Sequence, residues 1–519
     1  MRRDPAKLAG REFDLLVVGG GIYGAWTAYD AALRGLRVAI VEQGDWASGT
    51  SCASSKLIHG GLRYLETYDF KLVRKALRER QLLLKNAPHR VWPLRFGVPV
   101  YEDSRVGMLQ LKAGLVLYDL LAGFPGVAMA HRRFNRAAFA RNFSFLKEDG
   151  MKGGFTYGDA QTDDARLVLE LISGAMEIGA VCVNYCRVTG IQETDGKVSG
   201  ATVEDLLDHS IVQVAARQTV YTAGQWMAAN KPTSEWCRLS KGTHLVMPAL
   251  PGEEAVLLTA KSDGRVFFII PWYGMTLLGT TDSDYRGDAD HVTVDPNEIA
   301  YLLGEANNYL NTAWTEQDVV GSYAGVRVMK RSDAASPSAV SRDWELKSAG
   351  NGVHYSIGGK LTSAREDAKV IVDAACNELG ITSKCATVNR PFPWAPNNLP
   401  EWQAQSISRA EKLGIDSESV HWLMRRHGKR VDEVFHIIDL LPAMAERITP
   451  TLPFIFADLI LCARDEMAIH LNDLLRRRMP LLILAKMNEA ELQHVAKVVA
   501  KAMGLSERDI AREVRACLE

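Results

Sequence analysis

The stretch DLLVVGGGIYGAWTAYDAALRGLRVAIVEQ, residues 14–43, decides the fold of this chain. Its first apolar run, residues 15–18, predicts a buried parallel strand, and the small and apolar residues after the glycines predict a helix. A second apolar run predicts another strand, which ends at Glu42. Between the first strand and the helix, a G-x-G-x-x-G pattern is formed by Gly19, Gly21 and Gly24. This order of strand, turn, helix and strand is typical of a dinucleotide-binding α/β domain.

Each glycine of the turn has its own physical role. Gly19 permits the tight turn, Gly21 lets the backbone approach a pyrophosphate, and Gly24 lets the helix pack closely on the strand. The helix N-terminus presents free N–H groups and a partial positive charge to the phosphates. Glu42 is expected to accept hydrogen bonds from the adenosine ribose hydroxyls, and its charge would repel a 2′-phosphate. FAD and NAD share this pattern, so the turn by itself leaves both open.

Length and composition narrow the class of protein. A chain of 519 residues predicts two to four domains, and 47% apolar with 24% charged residues is typical of a soluble globular protein. The net charge of −1 provides no basic field, so no nucleic-acid partner is predicted. The eight cysteines form no C-x-x-C pair, and no metal site is predicted. The N-terminus lacks a signal peptide and no apolar run reaches 18 residues, so we expect an intracellular protein without a membrane-spanning helix.

Two later segments resemble further approaches of the backbone to a dinucleotide. Residues 198–226 show the alternation of a small antiparallel meander that feeds a strand ending at Ala223 and Gly224. Near the end of the α/β region, a strand runs into Gly358, Gly359 and Lys360, and a helix begins near Thr362. The N-terminus of that helix would be able to meet an anion or a flavin carbonyl.

The pattern of segments predicts an α/β Rossmann-type cofactor-binding domain, a mixed-sheet substrate domain and an all-α C-terminal domain. The first two are expected to interleave within residues 12–388, and a Pro- and Asn-rich linker is expected to join them to the helical domain. The predicted ranges are 12–90, 150–230 and 325–388 for the cofactor domain, 91–149 and 231–324 for the substrate domain, 389–400 for the linker and 401–519 for the helical domain.

Several blocks outside the opening stretch carry a family resemblance. They include TSCASSKLIHGGLRYLE at 50–66, YGDAQTDDARLVL at 157–169, IPWYGMTLLGTTDSDY at 270–285, GGKLTSAR at 358–365 and ARDEMAIHLNDLLRRR at 463–478. With these blocks the sequence resembles the FAD-dependent glycerol-3-phosphate dehydrogenase family, of the aerobic, quinone-linked type, over nearly the whole chain. The block SSKLIHGGLRYLE is the most specific, because general flavin oxidases of this fold lack it. The resemblance implies that the Rossmann-type domain binds FAD.

The resemblance also implies an activity. It is the oxidation of sn-glycerol 3-phosphate to dihydroxyacetone phosphate, by hydride transfer from C2 to flavin N5, with electrons passed to quinone. The expected protein is a cytoplasmic homodimer with a peripheral contact on the cytoplasmic face of the inner membrane. Three alternatives stay open: a soluble glycerol-3-phosphate oxidase that uses oxygen, an FAD-dependent oxidoreductase of another phosphorylated hydroxy-substrate, and a non-catalytic FAD-binding module.

Substrate and catalytic residues follow from the family blocks. A phosphate dianion needs several cationic donors, and arginine binds it with two parallel hydrogen bonds. The residues implied as substrate contacts are Arg63, Tyr64, His244, Arg327, Arg342 and Lys360. Among these, His244 is predicted to take the C2 hydroxyl proton, with Arg327 or a water as alternatives. Arg327 or Lys360 would stabilise negative charge on the substrate oxygen or the reduced flavin.

Cofactor contacts are predicted along the two glycine-rich segments and the loop after Glu42. They are Gly19, Gly21, Ile22, Gly24, Glu42, Gln43, Ser54, Ser55, Lys56, His59, Gly60, Val188, Ala223, Gly224, Trp226, Gly359, Lys360, Leu361 and Thr362.

Some of these residues also have a purely structural interpretation. His59 would serve as a structural histidine beside the flavin, Lys56 as an anchor of its own loop, and Arg342 as an ion-pair partner of a neighbouring acid. Asp163 and Asp164 are expected to cap a helix, and the three arginines at 476–478 to form a solvated face.

A membrane contact has one candidate segment in the sequence. The apolar tract at 108–124 carries Lys112 and Asp119 and favours a buried or membrane-surface helix over a span. It is only weakly basic, and the preceding helix at 70–90 has eight basic positions, His89 included, that would compensate.

Overall fold

The computed structural model describes residues 1–123, 126–229, 233–332 and 343–518. The strands are, in chain order, β1 Glu12–Phe13, β2 Leu15–Val18, β3 Val38–Val41, β4 Leu57–Ile58, β5 Val91–Tyr101, β6 Arg132–Asn135, β7 Met151–Thr162, β8 Val181–Val183, β9 Cys186–Thr194, β10 Lys197–Asp205, β11 Ile211–Ala216, β12 Thr219–Tyr221, β13 Cys237–Met247, β14 Ala255–Thr259, β15 Val266–Trp272, β16 Met275–Gly279, β17 Ser283–Asp284, β18 Gly321–Lys330, β19 Glu345–Ser348 and β20 Val353–Ile357. The helices are α1 Ile22–Leu33, α2 Phe70–Asn86, α3 Met108–Leu121, α4 Arg136–Asn142, α5 Asp164–Glu177, α6 Pro296–Asn307, α7 Ala364–Leu379, α8 Leu399–Lys412, α9 Ser417–His427, α10 Val431–Leu440, α11 Phe456–Asp465, α12 Leu471–Asp473, α13 Leu481–Leu484, α14 Glu489–Met503 and α15 Glu507–Leu518.

A first sheet forms around the opening stretch, in the order β19-β20-β12-β2-β3-β8. β2 runs parallel to β3 on one side and to β12 on the other, and β20 lies parallel to β12. α1 packs against α5 and α7, and its small residues Ala25, Ala28 and Ala31 are fully buried in that contact. The predicted Rossmann-type arrangement of strand, glycine turn, helix and strand is confirmed.

A small sheet in the order β1-β11-β10-β9 accompanies the first one. β9, β10 and β11 form the antiparallel meander predicted from their alternating sequence. The chain then enters β12, so the meander delivers Ala223 and Gly224 to the carboxyl end of the parallel sheet, beside the end of β2.

The second sheet is large and mixed, in the order β17-β13-β16-β15-β14-β5-β7-β4, with β18 and β6 paired at its sides. Its longest contacts are the antiparallel pairs β5–β7 and β13–β18. β7 and most of β18 lie in ranges predicted for the cofactor domain, yet they belong to this sheet. β7 and β18 each pair with a strand that is distant in sequence, and a local sequence pattern does not predict which strand that will be.

The segment at 389–400 is packed rather than extended between domains. Phe392 and Trp394 are buried, and the Phe392 ring meets the edge of Trp26 of α1 at 5.3 Å between centroids. The backbone N–H of Trp394 donates to Glu170 Oε1 of α5 at 2.9 Å. The segment therefore ties α1 and α5 to the helical region, and α8 already begins at its end.

Helices α8–α15 form the C-terminal region, as the sequence predicts. Within the described residues, none of the helices has the length and apolar character needed to cross a membrane. The apolar tract at 108–124 forms α3, which has 14 residues and exposes several apolar side chains.

Candidate cofactor and substrate site

A cavity of about 830 Å³ lies where the two large sheets meet. Val18, Val41 and Tyr221 bring the carboxyl ends of β2, β3 and β12 to its wall, and Phe268 and Met329 line it from the second sheet. Ligands of open α/β sheets bind at this edge, and the volume is in the range of cofactor sites.

The glycine turn at the cavity wall requires glycine for steric reasons. Gly19 has a φ of 108°, and a Cβ on it would lie 2.8 Å from the carbonyl oxygen of Thr222. A Cβ on Gly24 would overlap the carbonyl oxygen of Gly19, so α1 sits as close to the turn as the backbone allows. The N–H of Ile22, the first residue of α1, donates to Ser51 Oγ at 2.9 Å. The turn thus presents bare backbone to the cavity.

Glu42 is fixed at the end of β3. Its carboxylate accepts hydrogen bonds from the N–H of Gly20 at 2.5 Å and of Gly44 at 2.8 Å. The side chain lines the cavity next to Gln43 although the residue is only 6% exposed, and burial raises the pKa of its carboxyl. A carboxylate has about four acceptor sites, so roughly two remain for hydroxyl donors in the cavity.

The segment after β12 closes another side of the cavity. Ala223, Gly224 and Trp226 line it together with Val188 of β9. The Trp226 indole lies against Gly49, on which a Cβ would meet the ring at 2.9 Å. The end of β12 and the loop after Glu42 therefore face each other across this part of the site.

The loop at 50–66 reaches the cavity with only some of its predicted residues. Ser54, Ser55 and His59 line the wall. Lys56 does not: its Nζ lies 2.6 Å from Asp164 Oδ1 and donates to the carbonyl of Cys52 at 2.6 Å, and its side chain is 3% exposed. The anchor interpretation of Lys56 therefore describes its side chain, since a buried ammonium needs a carboxylate partner.

Two further expectations change in the same region. The N–H of Gly60 points away from the cavity and donates to Asp159 Oδ1 at 3.1 Å and to the Tyr118 hydroxyl at 3.0 Å. Asp163 lies at the N-cap position of α5 but makes no capping hydrogen bond with its side chain. Asp164 accepts from the N–H of Ala165 at 2.9 Å, and it also accepts from the Ser54 hydroxyl at 2.6 Å and pairs with Lys56. Asp159 and Asp164 therefore hold the loop from the side away from the cavity.

His244 lies behind the cavity wall rather than in it. It is 1% exposed, its Nε2 lies 2.8 Å from Ser55 Oγ, and its ring stacks on Tyr323 at 4.9 Å between centroids. Burial, helped by the charges of Arg327 and Lys56, lowers the pKa of its imidazole well below the usual value. Among the described residues, Nδ1 has no hydrogen-bond partner.

Three of the cationic side chains that line the cavity, Arg63, Arg327 and Lys360, were predicted as substrate contacts; Arg105, Arg187 and Arg265 line it as well. The Lys360 ammonium lies 3.7 Å from the centroid of the Tyr64 ring, and the Arg63 guanidinium lies 4.8 Å from the same centroid. Arg63 Nη2 donates to the Tyr64 hydroxyl at 3.1 Å. The third cation, Arg327, is held by Asp282 at 3.1 Å and by the Thr280 hydroxyl at 3.1 Å.

Lys360 is placed by a contact between α1 and α7. The preceding Gly359 has a φ of 100°, and a Cβ there would overlap the hydroxyl of Tyr23. The N–H of Lys360 donates to that hydroxyl at 2.9 Å, and the hydroxyl donates to Asp367 of α7 at 2.8 Å. Leu361 and Thr362, the next residues of the wall, begin the short 3-10 turn Leu361–Ser363.

Comparisons with known proteins agree with this geometry. The family described as FAD dependent oxidoreductase matches residues 14–365, and the C-terminal domain of alpha-glycerophosphate oxidase matches residues 385–510. A glycerol-3-phosphate dehydrogenase of Synechocystis sp. is 36% identical over 511 residues, covering 92% of this chain and 90% of the relative. The chain belongs to the FAD-dependent glycerol-3-phosphate dehydrogenase family.

Other relatives support the same membership. Glycerol-3-phosphate dehydrogenase 2 of Mycobacterium tuberculosis is 34% identical over 525 residues, covering 98% of this chain and 88% of the relative. The crystal structure of a glycerol-3-phosphate dehydrogenase from Bacillus halodurans, complexed with FAD, matches with a TM-score of 0.80 and 28% identity. That match covers 98% of this chain and 95% of the other. An L-alpha-glycerophosphate oxidase from Mycoplasma pneumoniae, 18% identical with a TM-score of 0.57, shares the fold and covers 74% of this chain.

The cavity fits the cofactor of this family. A diphosphate fits the bare backbone of the turn at Gly19 and Gly21, because a side chain is excluded there on one side and α1 begins on the other. Ribose hydroxyls fit the remaining acceptor sites of Glu42. The flavin ring of FAD would then lie against the remaining wall, which is formed by Ser55, His59 and the turn after Gly359.

The family resemblance did not indicate the residues that hold the predicted cations in place, some of which line the cavity and some of which lie behind its wall. Asp282 and Thr280 hold Arg327, and Tyr23 with Asp367 holds the backbone of Lys360. The block TTDSDY at 280–285 contained the signal for the first pair, since a carboxylate near a predicted phosphate site needs a cationic partner. Arg342, a predicted substrate contact, lies outside the described residues.

Proposed function

We propose that this protein oxidises sn-glycerol 3-phosphate to dihydroxyacetone phosphate with FAD and passes the electrons to a quinone. The observation that carries the proposal is the set of three cations, Arg63, Arg327 and Lys360, on the wall of the cavity that holds the dinucleotide turn. A flavin site without an anionic substrate has no need of such a set, whereas a phosphate dianion requires it. The names of the family relatives support the same substrate.

Bound FAD supplies a hydride acceptor, and the protein supplies the remaining groups. We assign Arg63 and Lys360 to the phosphate, because both cations lie against the ring of Tyr64 and so are held at one place on the wall. Arg327 is oriented by Asp282 and Thr280, and its guanidinium would stabilise the negative charge that develops on the C2 oxygen.

The proton of the C2 hydroxyl needs an acceptor on the cavity wall. His59 lines the cavity and His244 does not, so we assign the base to His59. Its backbone is fixed by a hydrogen bond from its N–H to Thr362 Oγ1 at 3.2 Å, and its ring meets the edge of Phe268. The histidine assignment made from sequence therefore moves from His244 to His59.

His244 acts instead on Ser55. A buried Nδ1–H without an acceptor would be a costly orphan donor, so the neutral ring carries its proton on Nε2 and donates it to Ser55 Oγ. The Ser55 hydroxyl then keeps its own hydrogen for an acceptor in the cavity. His244 thereby fixes which atom Ser55 offers to the flavin or the substrate.

An exposed apolar surface supports the quinone and a peripheral membrane contact. We define the α2–α3 face by its exposed apolar residues, Tyr68, Phe70, Leu109, Val116, Leu120 and Val127. α3 packs on α2 and on the 3-10 turn Leu62–Leu65, whose Arg63 lines the cavity. Glu66, Thr67 and Arg105 line the same cavity and adjoin this face in sequence. A quinone dissolved in a membrane under this face would approach the flavin by a short path.

The test is anaerobic mixing of the yellow holoprotein with substrate. Addition of sn-glycerol 3-phosphate should bleach the flavin absorbance, while glycerol, which lacks the phosphate, should not. No bleaching at millimolar substrate would favour another phosphorylated hydroxy-substrate, or a non-catalytic FAD-binding module if no such compound bleaches the flavin.

The electron acceptor is tested on the reduced protein. Stopped-flow mixing with a soluble quinone should restore the flavin absorbance faster than mixing with air-saturated buffer. Fast recovery with oxygen alone would assign the protein as an oxidase and remove the quinone from the proposal.

A further inference from the structure

Two of the three arginines at 476–478, Arg477 and Arg478, are not part of a solvated face but reach into the cofactor domain. Asp45 is 1% exposed and lies three residues after Glu42. Arg477 Nε donates to Asp45 Oδ2 at 2.6 Å, and Arg478 Nη2 donates to Asp45 Oδ1 at 2.9 Å. We call these three residues the Asp45 clamp; it joins the C-terminal region to the loop that follows β3.

The C-terminal side of the clamp is itself fixed. Arg478 Nη2 also donates to the carbonyl of Glu466 at 2.7 Å and to that of Met467 at 3.2 Å. Arg477 Nη2 donates to Asp473 Oδ1 at 2.6 Å, and the Tyr185 hydroxyl donates to the same oxygen at 2.6 Å. Both guanidinium groups are therefore oriented before they meet Asp45.

The other side of the clamp touches the dinucleotide turn. Trp46 is fully buried, its indole N–H donates to Met467 Sδ at 3.4 Å, and a Cβ on Gly20 would overlap its ring. The N–H of Ala47 donates to the carbonyl of Gly20 at 3.0 Å. Residues 45–47 are thus wedged between the C-terminal region and the turn, whose Gly20 N–H is also bound by Glu42.

We propose that the C-terminal helical region positions the dinucleotide turn for FAD, and that it does so through the Asp45 clamp. The turn has no side chain of its own to hold it, and Trp46, Ala47 and Glu42 are among the residues that fix its backbone, beside Ser51 and Thr222. A buried carboxylate that loses a cationic partner moves toward water or takes up a proton, and residues 46 and 47 would move with it. The proposed role of the clamp is retention of FAD, and it does not depend on which substrate the protein oxidises.

The charge state of Asp45 agrees with the geometry. Burial would raise the pKa of its carboxyl, but Arg478 and Arg477 together hold that pKa below its usual range. The clamp is therefore an ion pair at neutral pH, and neutral replacements test it directly.

The experiment measures FAD affinity and release. Arg478→Met, Asp45→Asn and the double variant are prepared as holoproteins, and FAD release is followed by the flavin fluorescence that returns on dissociation. The Kd is then obtained by titrating FAD into the apoproteins. Arg478→Met should raise the Kd at least tenfold and speed release. The rise in FAD Kd of the double variant should be smaller than the product of the rises in the two single variants. The reason is that the double variant removes both charges of the Asp45–Arg478 pair, so neither is left buried without the other.

The matched control is Arg464→Met, in α11 of the same region. Arg464 pairs with Asp465 at the surface, its side chain being 48% exposed. This variant should keep the native FAD Kd. Arg477→Lys, which keeps the charge, should lie closer to the native Kd than Arg477→Met.

Two results would overturn the inference. One is an unchanged FAD Kd in Arg478→Met together with an equal fall in the melting temperature of apoprotein and holoprotein, which would make the clamp a purely structural contact. The other applies if Arg478→Met yields no soluble protein. The double variant, which buries no unpaired carboxylate, is then measured instead, and a native FAD Kd in that variant would reject the proposed role of the clamp.

Discussion

At the scale of single residues, the three predicted cations of the cavity contact two kinds of partner. Arg327 has a carboxylate and a hydroxyl, whereas Lys360 and Arg63 lie against an aromatic ring. A ring holds a cation without neutralising its charge. Arg63 therefore keeps most of its charge for an anionic ligand, and Arg327, paired with Asp282, serves orientation as much as charge.

Removal of Arg327 or Lys360 should reduce turnover strongly. Arg327→Ala and Lys360→Ala are each expected to lower kcat/KM by at least about 2–3 kcal/mol of transition-state stabilisation, the order of charge-assisted contacts. Steady-state assays with an artificial electron acceptor measure this. Arg331→Ala, at an exposed position directly after β18, and Lys369→Ala, at a half-buried position of α7, serve as controls and should retain native values. Unchanged activity in Arg327→Ala or Lys360→Ala would remove that residue from the site.

The two histidines should differ in the size of their effect on turnover. His59→Gln removes the proton acceptor and is expected to lower kcat by roughly 10²–10⁴-fold. His244→Gln keeps an amide that can donate to Ser55, so it should lower kcat about tenfold or less. A larger loss in His244→Gln than in His59→Gln would return the base to His244.

Sequence blocks could predict which residues gather here, but not which way each side chain points. Lys56 and His59 stand three positions apart in one block, and the first binds Asp164 behind the wall while the second lines the cavity. Lys56 has a φ of 59°, a left-handed conformation that the sequence does not announce at a lysine. The partners that decide direction, Asp164 and Tyr118, come from more than 50 positions away.

At the scale of elements, local order was predictable and long-range pairing was not. The periodicities of α1, α2 and α5 and the glycine turn are local, and the structure has them where the sequence predicts them. β7 joins the second sheet because it pairs with β5, and β18 because it pairs with β13. Those pairings close loops of many residues, and their specificity depends on side chains from both sheets.

Helix α3 carries the element-scale prediction. Its Leu109 is 84% exposed and its Val116 41%, so a charge there costs the fold little. Insertion of one such side chain into a membrane is worth about 1.5–3 kcal/mol. Leu109→Asp and Val116→Asp should therefore reduce co-sedimentation with anionic phospholipid vesicles about tenfold or more while anaerobic flavin bleaching persists. Ile211→Asp, at the exposed first residue of β11, is the control, and an equal loss there would refute a specific α2–α3 face.

At the scale of the whole molecule, buried charge joins the regions of the chain. Arg166 of α5 pairs with Glu466 of the C-terminal region and donates to the carbonyl of Arg426, which itself pairs with Asp458 within that region. Such pairs bind the regions only while both partners stay ionised and in place. Buried histidines lie among them: burial lowers the pKa of His89 and His427, despite the nearby carboxylates Glu170 and Asp458. Acid should therefore loosen the contacts between the regions.

The stability of the fold should fall between pH 6.5 and pH 4 for this reason. Burial lowers the pKa of His427 to about 4 from an ordinary value of 6.5, so in this window the unfolded chain binds a proton that the folded chain does not. The free energy of unfolding then decreases as pH falls, by at most about 3 kcal/mol for this one group. Urea denaturation of the holoprotein at several pH values measures the slope. His427→Gln should flatten it, even if the variant is less stable at neutral pH. His436→Gln, at an exposed position of α10, should keep the native slope. A native slope in His427→Gln would show that proton uptake by His427 does not govern the loss.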